Sequence, residues 1–211
     1  MKLKGKKINF LGDSITQGAG VAREEEIYLN VLKEAEGLAA ARNYGIGGTR
    51  IARQAGGEDW GPSYSVRYAQ MDDDADIVVV FGGTNDFGHG NAPIGCFSDR
   101  TDDTYWGACH VLMRGLIEKY PDALIVFMTP LHRSDEDVPS AGNALPLKRY
   151  VEILRETAEY YALPVLDLFA VSGIQPRVES VRERLCPDGL HPNAAGHRII
   201  ASRLSGFLKS L

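Results

Sequence analysis

The chain has 211 residues, of which 44% are hydrophobic and 24% are charged, a balance typical of globular proteins. This length suits one large α/β domain whose core needs no disulfide or metal, so we expect residues 1–211 to form a single domain. The formal net charge of −5 argues against a nucleic-acid or anionic-membrane partner, because both favour a basic surface.

The sequence also predicts a cytoplasmic location. The N-terminal segment has a basic run but lacks the long apolar region and the cleavage site of a secretory signal. No apolar run approaches the ~18 residues of a membrane span. The cysteines Cys96, Cys109 and Cys186 are odd in number and lack metal-binding spacing, so we expect reduced thiols and no metal site.

Apolar runs alternate with segments of helical periodicity, which predicts a parallel sheet with helices on both faces. The predicted strands, in chain order, are Lys7–Leu11, Ala40–Tyr44, Ile77–Phe81, Leu124–Met128 and Val165–Leu168. Most of them are continuously apolar, as strands covered on both sides should be. The predicted helices are approximately Glu25–Gly37, Asp103–Tyr120, Leu147–Tyr161 and Asn193–Ser210.

Four connecting segments are too long to be tight turns, approximately 45–75, 84–102, 129–146 and 169–192. Three of them begin at the carboxyl ends of predicted strands, the edge at which open α/β sheets bind ligands. We therefore expect these segments to form one crevice. The acidic run at 72–74 precedes a strand and lacks the spacing of a calcium loop, which favours a solvated turn.

Ser14 follows the first predicted strand, in the motif GDSITQG at residues 12–18. Glycine permits a sharp turn from strand to helix, and the opening helix points backbone N–H groups and positive dipole at this serine. Alone, a serine at such a junction is more often an N-cap than a nucleophile. The motif is neither a Walker loop nor GxGxxG nor GxSxG, which weakens the nucleotide-binding and α/β-hydrolase alternatives.

A second motif, CPDGLHPN at residues 186–193, supplies what a nucleophilic serine requires. Asp188 precedes His191 by three residues, on a loop that enters the last predicted helix. An imidazole can take the serine proton near neutral pH, and a carboxylate can orient the ring and stabilise the imidazolium. Alone, the motif is typical of a histidine near a helix start; together with Ser14 it favours nucleophilic catalysis.

Two glycine-rich segments between these motifs, NYGIGGT (43–49) and FGGTND (81–86), follow the second and third predicted strands. Their glycines let backbone N–H groups approach a ligand, and the Asn85 side chain can donate a hydrogen bond. Losing one donor to an oxyanion costs on the order of 3–4 kcal/mol of transition-state stabilisation. Each segment alone is typical of an ordinary turn, but their position beside Ser14 favours oxyanion stabilisation.

The four motifs, in this order, resemble those of the SGNH hydrolase superfamily, also called the GDSL lipase/esterase family, with GDSI in place of GDSL. The resemblance implies that Ser14 is the nucleophile and, through its N–H, an oxyanion donor. It implies Gly48 as the second backbone donor and Asn85 as the side-chain donor. His191 is then the general base and acid, with Asp188 as the third member of the triad.

The resemblance also implies a three-layer α/β/α sandwich with a five-stranded parallel sheet, a flavodoxin-like arrangement that agrees with the number of predicted strands. It implies neither a metal nor an organic cofactor. Family members include carbohydrate acetylesterases, thioesterases, lysophospholipases and arylesterases, so the substrate stays open beyond a small-molecule ester.

Asp13, His89 and His132 are candidates for substrate binding, and the loop aromatics include Trp60 and Trp106. For Trp106, inside a predicted helix, core packing is the better interpretation. No long exposed apolar stretch suggests activation at a lipid surface, which favours short-chain esters, such as acetyl groups on a carbohydrate. The alternatives are a thioesterase or lysophospholipase, or a non-catalytic carbohydrate-binding module.

Overall fold

The computed structural model describes residues 1–57, 59–140 and 142–211. One sheet of five parallel strands has the order β2-β1-β3-β4-β5. The strands are β1 (Lys7–Gly12), β2 (Ala40–Gly45), β3 (Ile77–Phe81), β4 (Leu124–Met128) and β5 (Val165–Leu166). The predicted five-stranded parallel sheet is therefore confirmed.

Helices cover both faces of this sheet. In the described residues the α-helices are α1 (Ser14–Gln17), α2 (Tyr28–Glu36), α3 (Tyr64–Arg67), α4 (Thr84–Gly88), α5 (Tyr105–Lys119), α6 (Leu147–Tyr160), α7 (Leu168–Val171), α8 (Glu179–Leu185) and α9 (Ala194–Ser210). The apolar residues of α5 and α6 form one buried cluster with the sheet, and those of α2 and α9 form another.

The side chains of β3 show how one strand serves both layers. Val78 and Val80 belong to the cluster of α5 and α6, whereas Ile77, Val79 and Phe81 belong to the cluster of α2 and α9. All five are buried. Successive side chains of a strand point to opposite faces, so a strand between two apolar layers is apolar throughout. The continuous apolar runs of the sequence follow from this three-layer packing.

Two element boundaries differ from the prediction. β5 ends at Leu166 and not at Leu168, because the Asp167 side chain accepts a hydrogen bond from the Ala170 N–H and begins α7. The helix predicted from Glu25 is divided, with a 3₁₀ turn at Glu24–Glu26 and α2 starting at Tyr28. The other three predicted helices end or begin within two residues of α5, α6 and α9.

The long segments at the carboxyl edge contain the short helices α3, α4, α7 and α8, which the periodicity did not predict. Across residues 1–57, 59–140 and 142–211, no helix combines the length and apolar character needed to cross a membrane. The same residues include no group of three or more acidic, histidine or cysteine side chains arranged to hold a metal ion.

Candidate active site

Ser14 is the first residue of α1, immediately beyond the carboxyl end of β1. The Asp13 carboxylate caps this helix by accepting a hydrogen bond from the Ile15 N–H at 3.0 Å. A Cβ atom on Gly12 would come within 1.9 Å of Thr16 Oγ1, so this close approach of helix to strand requires glycine. The tight turn places the Ser14 hydroxyl at the sheet edge.

The structure brings Ser14, His191 and Asp188 together from opposite ends of the chain. Ser14 Oγ lies 2.9 Å from His191 Nε2, and His191 Nδ1 lies 2.7 Å from Asp188 Oδ2. An ionised carboxylate only accepts hydrogen bonds, so Asp188 assigns the ring proton to Nδ1. Nε2 is then free to accept the Ser14 hydroxyl proton, which is the geometry that nucleophilic activation requires.

Several hydrogen bonds hold the loop from Asp188 to His191. Asp188 Oδ1 accepts the N–H groups of His191 at 2.7 Å and Leu190 at 2.9 Å. Partial burial would raise the pKa of Asp188, but these N–H donors and the His191 ring hold that pKa below its usual value. The next residue, Gly189, has φ of +80°, and its carbonyl accepts the Ser134 N–H at 2.9 Å.

Three groups near the Ser14 hydroxyl can donate hydrogen bonds to an oxyanion. The Ser14 N–H belongs to the first turn of a helix and so has no acceptor within that helix. The Gly48 N–H has no hydrogen-bond partner among the described residues, whereas the Gly47 N–H donates to Gln17 Oε1 at 2.8 Å. Gly48, rather than its neighbour, therefore has an N–H available to a ligand. Asn85 contributes the third donor group.

Asn85 lies in α4, which begins after Gly83 at a φ of +105°. Asn85 Nδ2 donates to the Thr49 carbonyl at 3.1 Å, which joins α4 to the loop that carries Gly48. An amide nitrogen has two N–H groups, so one remains for a ligand. The side chain is buried, which keeps competing water away from that donor.

Asp86, the next residue, has a structural role that we did not predict. Its carboxylate accepts the N–H groups of Ile51 and Ala52, both at 2.9 Å. Burial raises the pKa of Asp86 to about 6, although these two N–H donors and the charge of Arg50 oppose that shift. The carboxylate thereby anchors the loop after β2 against α4. The sequence offered one signal for this role: an acidic residue stands beside Asn85 in an apolar, glycine-rich segment.

The cleft above Ser14 has a volume of about 580 Å³. Besides Ser14 and the other groups already described, it is lined by Ala19, Ile46, Trp60, His89 and Leu190. Trp60 is 56% exposed, and its ring lies against the loop glycine, because a Cβ on Gly48 would come within 2.6 Å of it. Trp106 is buried in the core, as its place in a predicted helix indicated, and Tyr64 and Phe87 are buried there as well.

The three predicted substrate-binding side chains have different positions. His89 lines the cleft, with its ring 5.5 Å from that of Trp60 and its Nδ1 2.9 Å from an Arg50 nitrogen. Burial and the nearby charge of Arg50 lower the pKa of His89. Asp13 is only 1% exposed and caps α1, so the structure does not place it in the cleft.

His132 does not line the cleft either, contrary to our expectation. Its Nδ1 lies 2.7 Å from Glu136 Oε2, and its ring packs on Phe169 with 3.8 Å between centroids. Both contacts lie within the segments that follow β4 and β5. A position after a strand end was therefore insufficient to predict which way this side chain points.

The sequence model of the GDSL-like Lipase/Acylhydrolase family matches residues 10–199. A solved structure of a protein from Lactobacillus plantarum is 30% identical, with a TM-score of 0.86 over 98% of both chains. A carbohydrate acetylesterase family member from Sinorhizobium meliloti is similar at 19% identity, with a TM-score of 0.66 over 97% of this chain and 98% of that one.

An acetyl xylan esterase is similar at 22% identity, with a TM-score of 0.61 over 95% of this chain and 98% of that one. No curated protein sequence matches this chain significantly. The family match spans most of the chain and includes the segments that carry Ser14, Gly48, Asn85 and His191. The chain is therefore a carboxylic ester hydrolase that belongs to the GDSL-like lipase/acylhydrolase family of the SGNH hydrolase superfamily.

Proposed function

We propose that this hydrolase cleaves short-chain acyl esters, with acetyl esters as preferred substrates, through an acyl-enzyme on Ser14. The observation that carries the proposal is the continuous series of contacts from Ser14 Oγ through both nitrogens of His191 to Asp188, at 2.9 and 2.7 Å. This series opens into a cleft that also presents the N–H groups expected to hold an oxyanion.

In the first step, Ser14 Oγ attacks the ester carbonyl carbon while its proton passes to His191 Nε2. The tetrahedral oxyanion accepts hydrogen bonds from the Ser14 N–H, the Gly48 N–H and Asn85 Nδ2. Asp188 stabilises the imidazolium through Nδ1–H. When the intermediate collapses, His191 returns the proton to the departing alkoxide oxygen, and an alcohol leaves.

In the second step, a water molecule attacks the carbonyl carbon of the acyl group that is bound to Ser14 Oγ. His191 Nε2 takes a proton from that water, and the same three donors hold the second oxyanion. Collapse breaks the bond to Ser14 Oγ, which regains its proton from His191, and the carboxylic acid leaves. Every proton transfer uses one imidazole nitrogen, so no second base is required.

The lining of the cleft supports a small acyl group. Ile46, Leu190 and Trp60 supply short apolar surfaces around Ser14, and the cleft volume of about 580 Å³ suits a small ligand. The carbohydrate acetylesterase family member and the acetyl xylan esterase that share this fold support an acetylated sugar as the substrate. The exposed ring of Trp60 offers such a sugar a stacking surface.

The test combines a nucleophile variant with a substrate panel. We expect Ser14→Ala to lose turnover of 4-nitrophenyl acetate, while Ser202→Ala, an exposed serine on α9, keeps it. Undiminished turnover by purified Ser14→Ala would refute the proposal. Across esters of two to twelve carbons, acyl-CoA and acetylated xylo-oligosaccharides, we expect kcat/KM to be highest for acetyl groups. A maximum at long chains or at acyl-CoA would favour a lysophospholipase or a thioesterase.

We also propose that the protein works in the cytoplasm. Cys96, Cys109 and Cys186 are all free, and the last two are buried. Free thiols are typical of proteins from reducing compartments, which supports this location. Immunolocalisation or cell fractionation tests it, and recovery of the protein outside the cytoplasm would contradict it.

A further inference from the structure

Arg67, the last residue of α3, is a buried cation beneath the cleft, with only 5% of its surface exposed. One terminal nitrogen, Nη2, donates to the Gly12 carbonyl at 2.5 Å and to Thr49 Oγ1 at 3.1 Å. The other, Nη1, donates to the Tyr44 carbonyl. A single guanidinium thus joins the end of β1, the end of β2 and the loop after β2.

Two of the three acceptors lie close in sequence to groups assigned to the oxyanion site. Gly12 is two residues before Ser14, and Thr49 directly follows Gly48. The Thr49 carbonyl also accepts from Asn85 Nδ2 at 3.1 Å. The relative positions of all three oxyanion donors therefore depend on segments that Arg67 holds.

The position of Arg67 is itself fixed by β3. Its guanidinium carbon lies 4.5 Å from the centroid of the Tyr64 ring, and the Tyr64 hydroxyl donates to the Phe81 carbonyl at 3.0 Å. Burial lowers the pKa of Arg67, while the nearby Tyr64 and the carboxylate of Asp13 oppose that shift. Two backbone carbonyls, a hydroxyl and the Tyr64 ring thus surround the guanidinium inside the core.

We propose that Arg67 is a positioning residue that sets the spacing of the oxyanion donors at Ser14, Gly48 and Asn85. The inference rests on the proposed function, because it presupposes that these donors bind the oxyanion. The planar fork of a guanidinium can hold several carbonyl groups at fixed angles, whereas the single ammonium of lysine cannot reproduce that geometry. Lysine at position 67 should therefore keep the charge but lose the alignment.

The test compares Arg67→Lys and Arg67→Met with wild type, with kcat expressed per active site titrated to completion by a fluorophosphonate. A misplacement of about 1 Å can reduce a rate by about 100-fold. We expect kcat to fall about 100-fold in Arg67→Met and about 10-fold in Arg67→Lys, with KM for 4-nitrophenyl acetate within about 3-fold of wild type. A purely structural role would lower the titratable fraction and leave kcat per site unchanged.

Arg42→Met is the matched control. Arg42 lies on β2, close in sequence to Tyr44, and its partly buried guanidinium pairs with Asp72 and Asp74 before β3. This substitution also removes a paired arginine from the sheet, so it should cost stability. We expect its kcat per titrated site to equal that of wild type.

Values of kcat per titrated site within about 3-fold of wild type in both Arg67 variants would overturn the inference. Failure of the proposed function would give a different result, because the fluorophosphonate would then not titrate wild type at Ser14.

If neither Arg67 variant folds, Thr49→Val and Thr49→Ser replace them. Serine keeps the hydroxyl that accepts from Arg67, and valine removes it. We expect kcat to fall several-fold in Thr49→Val and not in Thr49→Ser, and equal values in the two would overturn the inference.

Discussion

Ion-paired side chains at the amino edge of the sheet remain in contact with solvent, whereas two carboxylates at the carboxyl edge are buried. At the amino edge, Lys6 pairs with Asp76 at 2.9 Å and Lys7 pairs with Asp74 at 2.7 Å. At the carboxyl edge, Asp13 and Asp86 are buried and accept backbone N–H groups. The same sheet thus carries solvent-exposed ion pairs at one edge and buried, hydrogen-bonded carboxylates at the other.

The pKa values of these carboxyls shift in opposite directions. Burial raises the pKa of Asp13 to about 6 and that of Asp86 to about 6. At the other edge, the Lys7 side chain lowers the pKa of Asp74, and the Lys7 N–H lowers that of Asp76. Burying a charge costs free energy, whereas exposed ion pairs contribute little because solvent screens them. The comparison teaches that this chain tolerates buried carboxylates where they fix the loops around Ser14.

The largest effect should follow from breaking the contact between Ser14 and His191. We expect Ser14→Ala and His191→Ala each to reduce kcat for 4-nitrophenyl acetate by at least about 10⁴-fold, because either loss leaves no activated nucleophile. The double variant should be no worse than either single one, because the two side chains act as a unit. If the double variant lost the sum of the two single losses in activation free energy, as measured by steady-state assays, Ser14 and His191 would not act as a unit.

A smaller loss is expected at the third oxyanion donor. Asn85→Ala should reduce kcat by about 10²–10³-fold, the usual cost of one oxyanion hydrogen bond, and leave KM nearly unchanged. Asn30→Ala is a control, since that exposed amide on α2 donates to the Glu24 carbonyl. A rise in KM without a change in kcat would assign Asn85 to substrate binding instead.

Asp188 should matter less than His191. Its side chain is 54% exposed, so water can partly replace it as the acceptor for His191 Nδ1–H. We expect Asp188→Ala to lose about 10–100-fold in kcat, well below the loss in His191→Ala. Pre-steady-state and steady-state assays of both variants measure the difference. Equal losses of kcat in the two variants would show that catalysis requires Asp188 to orient the His191 ring.

The two edges should also differ in how stability depends on pH. Because folding raises the pKa of Asp86 from 3.8 to about 6, its contribution to the free energy of unfolding falls as pH rises across that interval. As pH rises from 4 to 6, the free energy of unfolding of Asp86→Asn should therefore increase relative to wild type by up to about 3 kcal/mol. That increase starts from a value lowered at every pH, because the amide nitrogen of asparagine cannot accept one of the two N–H groups. Urea unfolding at several pH values measures the gain.

Asp76→Asn is the matched variant at the amino edge, and its pH dependence should have the opposite sign. Folding lowers the pKa of Asp76, so its stabilisation is present above the usual pKa of 3.8 and is lost as pH falls through the folded value. We expect a loss of at most about 1 kcal/mol near neutral pH, vanishing in acid, with kcat unchanged. Parallel pH profiles for the two variants would contradict the contrast between the edges.

The sheet and the residues that meet at Ser14 could be predicted because their signals are local. Continuous apolar runs identified the strands, and short motifs carried Ser14, Asp188 and His191. The boundaries of α2 and β5 depended on caps and extended residues such as Ile27 and Asp167, which periodicity does not register.

The supporting residues were harder to predict because their roles exist only in three dimensions. Arg67 donates to groups that lie 18 to 55 residues away in the chain. Asp86 accepts from backbone N–H groups that lie 34 to 35 residues away. His132 was assigned to the cleft from its place after a strand, yet it turns towards Glu136. A side chain's direction depends on packing, which a single sequence does not specify.

Labelling with a fluorophosphonate, followed by peptide mass spectrometry, tests most directly whether Ser14 is the activated nucleophile. We predict one adduct per folded chain, on the tryptic peptide of residues 8–23, which contains Ser14. The adduct should be absent from Ser14→Ala and form much more slowly in His191→Ala. A folded wild-type chain that stays unlabelled, or that carries the adduct on another residue, would contradict the account.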